Sequence, residues 1–210
     1  NIYELPLASG VLDTLVMVRV MHHLAEVNVA LNQLQRSLHS HGVAVLEYAN
    51  KRNLKAMLRW MTNRQNWSPV DQEPVEFVEL NFDFHPSWME TQLSSAGFDV
   101  KRQVGVSHFR MPVLKSALAA DKLARADSLL FNLGGRYPLA PSVFLKAEVA
   151  GVRQRADVGF SPAEMALLFR CPSCETDGLE RFDENVVSCP ECNRHYGCKH
   201  GVWDFKEALP

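Results

Sequence analysis

No stretch of this sequence carries the ~18 consecutive apolar residues that a membrane-spanning helix needs. The first residues lack the basic segment followed by an apolar one that marks a secretory leader, so none is expected. There is also no initiating methionine. The chain opens Asn1-Ile2-Tyr3-Glu4 without a lead-in, which predicts a fragment, or a polypeptide whose first part lies elsewhere. Charge of one sign is scarce: the formal net charge is -2, which gives no global pull toward nucleic acid or anionic lipid, and no membrane contact is expected from it. Internal repeats and low-complexity tracts are missing. At 47% hydrophobic and 22% charged residues, the composition excludes a disordered or fibrous chain.

Cysteine is sparse but concentrated. Four of the five cysteines form two Cys-x-x-Cys pairs near the end of the chain. That pattern points to a reducing, cytoplasmic compartment and to metal rather than disulfides. The length of 210 residues fits one medium domain plus a small appendage.

The chain is organised around Leu5 to Asn50. Thr14 to Val18 is a continuous apolar run, expected to be a strand buried on both faces. Val27, Ala30, Leu31, Leu34 and Leu38 then fall at helical spacing, with Asn32, Gln33, Gln35 and Arg36 on the opposite side. Gly42 is expected to stop this helix before a second strand over Val43 to Leu46. Strand, helix and strand make a βαβ unit, which implies an α/β sheet with ligands at the carboxyl ends of its strands.

Further on, residues 52–64 predict a helix with Leu54, Met57, Leu58 and Met61 on one face. Leu80, Phe82 and Phe84 alternate with polar residues and predict a short extended segment. Ser87-Trp88-Met89-Glu90 has the spacing of a capping box and predicts a helix that stops at Gly97. Val100 to Phe109 reads as a strand. Residues 113–133 read as a long helix broken by Gly134-Gly135 and Pro138, and Ser142 to Val149 as a last strand. The insert at 64–86 and the helix at 113–133 are expected to cover a substrate pocket. Ala150 to Gly159 reads as a linker, and Ser161-Pro162-Ala163-Glu164 as a capping box opening a short helix.

Cys171-Pro172-Ser173-Cys174 and Cys189-Pro190-Glu191-Cys192 carry the strongest chemistry. Two such pairs can set four thiolates around one ion. Strand-like Leu179 to Phe182 and Val186-Val187, with a turn between them, complete the pattern of a zinc ribbon. A core so small needs metal to fold. Zinc suits a closed four-thiolate site; iron and disulfides are the alternatives, and Cys198 reads as a free thiol. From Cys171 onward eight acidic residues face four basic ones. Four thiolates on a dication add further negative charge, so nucleic acid is not favoured as a partner.

Leu5-Pro6-Leu7, Leu12-Asp13-Thr14, His22-His23-Leu24, Arg36-Ser37-Leu38, Gly42-Val43 and Ala96-Gly97-Phe98 together resemble the second half of a class I S-adenosylmethionine-dependent methyltransferase. The resemblance implies a Rossmann-like methyltransferase sheet that is partial, strands four to seven, followed by the small β zinc ribbon. It divides the chain into 1–149 as the C-terminal part of the methyltransferase domain, 150–170 as a linker and short helix, and 171–210 as the ribbon. S-adenosylmethionine and zinc are the implied cofactors. By the same resemblance Asn1 and Ile2 contact the adenine, while Val18, Arg19 and His23 lie beside the methionine part. Glu47, Tyr48 and Asn50 face the substrate side.

The chain departs from the family in that Leu7 and Leu12 replace Phe, and His39-Ser40-His41-Gly42 replaces a Pro-Gly-Gly turn. The largest departure is the absence of the glycine-rich loop and of the acidic residue that binds ribose. The chain alone is therefore expected to be inactive, its sheet completed by a missing N-terminal half or a partner chain. The end of the chain, Tyr196-Gly197 and Gly201 to Phe205, resembles the small zinc-binding proteins that partner methyltransferases. A non-catalytic partner on a degenerate methyltransferase scaffold is the alternative function, and an oxidoreductase a third. The methyl acceptor is not named by any residue. His22, His23, His85 and His108 are all candidate bases.

Overall fold

A computed structural model of the chain describes residues 1–109, 116, 118–137, 139–151 and 161–209. The chain divides into two compact units. One holds Asn1–Asp13, Val29–Gly42 and Val149–Pro210; the other holds Thr14–Asn28 and Val43–Glu148.

In chain order the first elements are β1 (Leu12–Met17), α1 (Val27–Ser37), β2 (Leu38–Ala49) and α2 (Leu54–Met61). They are followed by β3 (Val75–Val78), β4 (Asn81–Asp83), α3 (Pro86–Ser95), β5 (Phe98–Val106), α4 (Ala120–Arg136) and β6 (Ser142–Val149). Four strands form a sheet in the order β1-β2-β6-β5, so the last strand inserts beside β2. β2 and β6 are antiparallel, in register from Val43 opposite Glu148 to Ala49 opposite Ser142. Period-2 alternation places Ala44, Leu46 and Tyr48 opposite Ala147, Leu145 and Val143, and all six are buried. β3 and β4 form a separate antiparallel hairpin.

The positions expected inside are inside: Val27, Ala30, Leu31 and Leu34 of α1 are buried, and so is Leu38, which opens β2. The boundary differs from expectation. α1 ends at Ser37 and β2 begins at once, so Gly42 lies within the strand. There His41 takes a left-handed φ of 63°, and a Cβ at Gly42 would come within 2.8 Å of the His39 carbonyl. Gly42 therefore serves a kink in the strand rather than the helix end. β1 departs further. Its apolar run alone predicts burial on both faces, whereas a partial sheet predicts an exposed edge at Thr14–Val18; β1 is the edge strand of this sheet and Val16 is 65% exposed.

α3 starts two residues earlier than its Ser87–Glu90 spacing predicts. Pro86 occupies the first turn, where its missing N–H costs nothing, and the His85 imidazole accepts from the Ser87 amide at 3.2 Å. The helix expected over 113–133 partly lies outside the described residues, as does Pro138. Leu118-Ala119 is not helical, Ala119 being extended, and α4 begins at Ala120. Nor do Gly134-Gly135 break it: they sit in its last turn. A Cβ on Gly135 would lie 2.0 Å from the Gln103 carbonyl oxygen, and one on Gly105 2.9 Å from the Gly134 backbone. The glycines let α4 and β5 approach backbone to backbone. The Asp127 carboxylate fastens the same pair, accepting from the Ser107 and His108 amides at 2.8 and 2.9 Å and from His108 Nδ1 at 2.7 Å.

In the other unit, Asn1 caps a 3₁₀ turn over Ile2–Glu4, its side chain accepting from the Tyr3 amide. The next residues run beside Leu168–Arg170: the Ala8 amide donates to Leu168 at 2.8 Å and the Arg170 amide to Pro6 at 3.2 Å. Most of the expected linker, residues 152–160, lies outside the described residues. The capping box at Ser161–Glu164 forms as its spacing predicts and opens α5 (Pro162–Ala166). A second four-stranded antiparallel sheet follows: β7 (Glu180–Asp183), β8 (Val186–Ser188), β9 (His195–Lys199) and β10 (Val202–Asp204).

Candidate functional site

Two sites are built, one in each unit. The first is a cleft of about 580 Å³ at the ends of β1 and β2. The turn after β1 contributes Val18, Arg19 and His22, and the end of β2 contributes Glu47. Asp83, Asn81 and Phe77 enter from the β3–β4 hairpin, which belongs to the insert expected to cover a pocket. Arg19 has a left-handed φ of 59°, which turns its amide onto Glu47 Oε2 at 2.8 Å. Ser142 donates its hydroxyl to the other carboxylate oxygen. Glu47 is thus a buried carboxylate held at both oxygens from neighbouring elements.

Asp83 is different. Burial pushes its carboxyl up to about 6, against the pull of the Lys51 ammonium. Lys51 is itself buried, and that burial lowers its pKa; its ammonium donates to the Asp71 and Glu73 carbonyls at 3.0 and 2.6 Å. Sequence reading missed both residues. Asp83 sits in an alternating strand pattern and Lys51 in a basic stretch, and nothing local announces that the fold brings them together.

The four histidines separate cleanly. Burial, and then the neighbouring His23 ring, hold His22 below the ordinary imidazole pKa, and His22 lines the cleft. His23 Nδ1 meets the Leu80 carbonyl at 2.9 Å. His85 caps α3, and His108 is bound to Asp127. Val18 and Arg19 share the cleft with His22, whereas Asn1 and Ile2 belong to the other unit.

The second site is the four-cysteine centre. The Sγ atoms of Cys171, Cys174, Cys189 and Cys192 all lie within 4.8 Å of one another. Cys171 and Cys192 are 3.6 Å apart, Cys174 and Cys189 3.4 Å. A tetrahedron with Zn–S bonds of about 2.3 Å has S···S edges of about 3.8 Å, so the donor set fits one such ion. Cys198 lies outside the cluster.

The two Cys-x-x-Cys turns repeat one backbone pattern. The Glu175 amide donates to the Cys171 carbonyl at 2.9 Å, and the Asn193 amide to Cys189 at 3.0 Å. Cys171 and Cys189 in turn donate their amides to Thr176 and Arg194, both at 2.9 Å. Glu175 and Asn193 stand where glycine is usual, and both adopt left-handed φ, 64° and 55°. Ser173 and Cys174 amides point at the Cys171 sulfur; Glu191 and Cys192 amides point at Cys189. Thr176, by its hydroxyl and its amide, brings the Cys174 thiol down to about 6, while burial pushes Cys189 up to about 12. Tyr196, which sequence reading did not assign to the centre, places its hydroxyl 3.5 Å from Cys171 Sγ and 2.9 Å from Ser173. Trp203 and Phe205 complete the small core with Phe169, whose ring lies 5.4 and 4.8 Å from theirs.

No protein-family model matches this chain, and no curated protein matches it. Solved structures do. An S-adenosylmethionine-dependent methyltransferase from Thermotoga maritima, described as a possible histamine N-methyltransferase, superposes with a TM-score of 0.50 at 15% identity, covering 71% of this chain and 61% of that one. The chain shares a methyltransferase fold.

Two further likenesses have lower scores. A complex of the Haloferax volcanii Trm112 methyltransferase activator with a protein assigned as a methyltransferase gives a TM-score of 0.45 at 12% identity, over 74% and 61% of the two chains. A protein from Listeria monocytogenes assigned as an S-adenosylmethionine-dependent methyltransferase gives 0.43 at 13%, over 71% and 67%. The chain spans about three fifths of the length of the Thermotoga protein. Within the methyltransferase fold, the cleft beyond β1 and β2 lies where α/β sheets place their ligands, at the carboxyl ends of strands.

Proposed function

We propose that this chain is the C-terminal part of an S-adenosylmethionine-dependent methyltransferase, carrying a structural zinc ribbon. The supporting observation is the cleft of about 580 Å³ at the ends of β1 and β2, in a chain whose fold is that of such enzymes. The cofactor would supply a sulfonium-bound methyl group, and such a transfer asks the protein mainly for proximity and orientation.

The 210 residues do not fit that cofactor by themselves. They contain no Gly-x-Gly triplet, the backbone feature that lets a nucleotide approach, and β1 lies at the sheet edge. Further strands, from elsewhere in the polypeptide or from a partner chain, would pair with β1 and bring the glycine loop. By the resemblance, Asn1 and Ile2 are assigned to the adenine, and Val18, Arg19 and His23 to the methionine part. Residues 1–149 would be the methyltransferase part, 150–170 the connection and 171–210 the ribbon. The acceptor is unassigned.

Zinc is the ion that suits four thiolates in a closed set, with Cys171, Cys174, Cys189 and Cys192 as ligands. Its role there is to hold a small core together.

Calorimetry tests the enzyme reading. S-adenosylmethionine titrated into this chain should give no binding heat. The same titration into the chain extended through the coding sequence upstream of Asn1, or joined to a co-purified partner, should give one site per assembly. An extended or partnered protein that binds no S-adenosylmethionine overturns the reading.

A further inference from the structure

One stretch runs against the acidic balance of the chain. Residues 50–70 contain Lys51, Arg52, Lys55, Arg59 and Arg64 and no acidic residue. Lys51 is buried; the other four are exposed. α2 lies inside this stretch, and its apolar residues are not turned inward. Leu54 is 54% exposed, Leu58 55%, Trp60 43% and Met61 72%. Within the helix, burial falls on Ala56 and partly on Met57.

The helical period explains the arrangement. At ~100° per residue, Leu54, Leu58 and Met61 share a narrow stripe, and Lys55 and Arg59 form a second stripe beside it. The buried Ala56 lies on the opposite side. The outward face of α2 is therefore half apolar and half basic. A helix that meets water alone has no reason to show a stripe of three large apolar side chains. A second copy of the chain would bring like charges onto the same stripe. Nucleic acid would use the basic stripe but leave the apolar stripe unburied. An anionic bilayer uses both stripes: lipid headgroups meet the Lys and Arg side chains while Leu54, Leu58 and Met61 enter the acyl boundary.

We propose that α2, with Arg52 and Arg64 at its ends, docks this chain peripherally onto an anionic lipid surface. The helix lies along the surface rather than through it; no helix among the described residues is long and apolar enough to cross a membrane. The charge of the whole chain argues against any such contact, because it averages away a basic stretch that the fold exposes.

The test is co-sedimentation of the 210-residue chain with sucrose-loaded vesicles, either of phosphatidylcholine alone or of equimolar phosphatidylcholine and phosphatidylserine. The chain should partition onto the anionic vesicles and not onto the neutral ones. Lys55→Glu with Arg59→Glu should lower that partition at least about tenfold. Leu58→Ser with Met61→Ser should lower it several-fold, leaving a remainder that salt abolishes. Circular dichroism checks that each variant folds. Should either double variant lose helix signal, Arg59→Glu and Met61→Ser singly repeat the comparison at exposed positions. Equal binding to both vesicles, or to neither, overturns the proposal, as does a charge-reversed variant that binds like the wild type. So does tight binding of single-stranded RNA that the Leu58/Met61 change leaves untouched, which assigns the face to nucleic acid. Self-association lost in the Leu58/Met61 variant assigns it to a second copy.

Discussion

Arg36 donates from Nη1 to the Leu7 carbonyl at 2.6 Å, and the same nitrogen lies 3.8 Å from the Asp177 carboxylate. Its other terminal nitrogen reaches the Leu5 carbonyl at 3.1 Å and Gln33 Oε1 at 2.9 Å. One guanidinium on α1 thus ties the Leu5–Leu7 segment to the loop after the first cysteine turn. Its planar fork holds these donors in one fixed geometry, which the flexible ammonium of a lysine does not reproduce.

Arg36→Lys should destabilise the unit containing the cysteine centre. Losing charge-assisted bonds to part-buried carbonyls costs about 1.5–3 kcal/mol. Urea unfolding followed by near-UV circular dichroism, which senses Trp203, measures it. An unchanged midpoint would show that Arg36 holds nothing.

Metal removal should unfold the centre locally. Native mass spectrometry is expected to find one zinc per chain, and Cys189→Ser should abolish it. Excess chelator should erase the Trp203 near-UV signal while the β2–β6 sheet keeps its far-UV signal. A chain that holds its near-UV signal metal-free would remove the structural role given to zinc.

Asp83 makes stability depend on pH in a stated direction. Its folded pKa, about 6, lies above the ordinary carboxylate value of 3.8, so folding disfavours its ionised form. The stability it leaves intact is full below about pH 4 and is lost as pH rises through about 6. Asp83→Asn should therefore stabilise the chain at pH 7, by at most about 3 kcal/mol and less with solvent access from the cleft. The gain should vanish near pH 4. Chemical denaturation at both pH values checks it; a gain that is the same at both excludes Asp83 as its source.

Gly135→Ala reverses an ordinary expectation. In an exposed helix interior, alanine is favoured over glycine by about 1 kcal/mol. Here the added Cβ would lie 2.0 Å from the Gln103 carbonyl oxygen, so α4 must move away from β5. The expected result is a loss of about 1–3 kcal/mol in thermal unfolding. A neutral or stabilised variant would refute the close approach of helix and strand.

Much of this protein could be read from local pattern. Helical spacing from Val27 to Leu34, the strand pattern from Ser142 to Val149, and the capping box at Ser161–Glu164 are short-range signals, and each became the element it predicts. The four cysteines were legible because metal geometry constrains their spacing directly. Where local signals competed, the sequence misled. Gly134-Gly135 reads as a break because glycine destabilises helices, yet in contact with β5 only glycine fits. Ser87–Glu90 reads as a cap, but Pro86 and His85 set the start two residues earlier.

The sequence by itself determined the α/β class, the main core positions of α1 and β6 and the identity of the four-thiol set, because each follows from periodicity or spacing within a few residues. The tertiary structure alone decided three other things. It raised the Asp83 pKa by burying its carboxyl, against the opposing pull of Lys51, selected His22 among four histidines for the cleft, and left the apolar stripe of α2 facing outward. Each depends on which distant segments meet, and burial and charge are properties of that meeting rather than of any residue type.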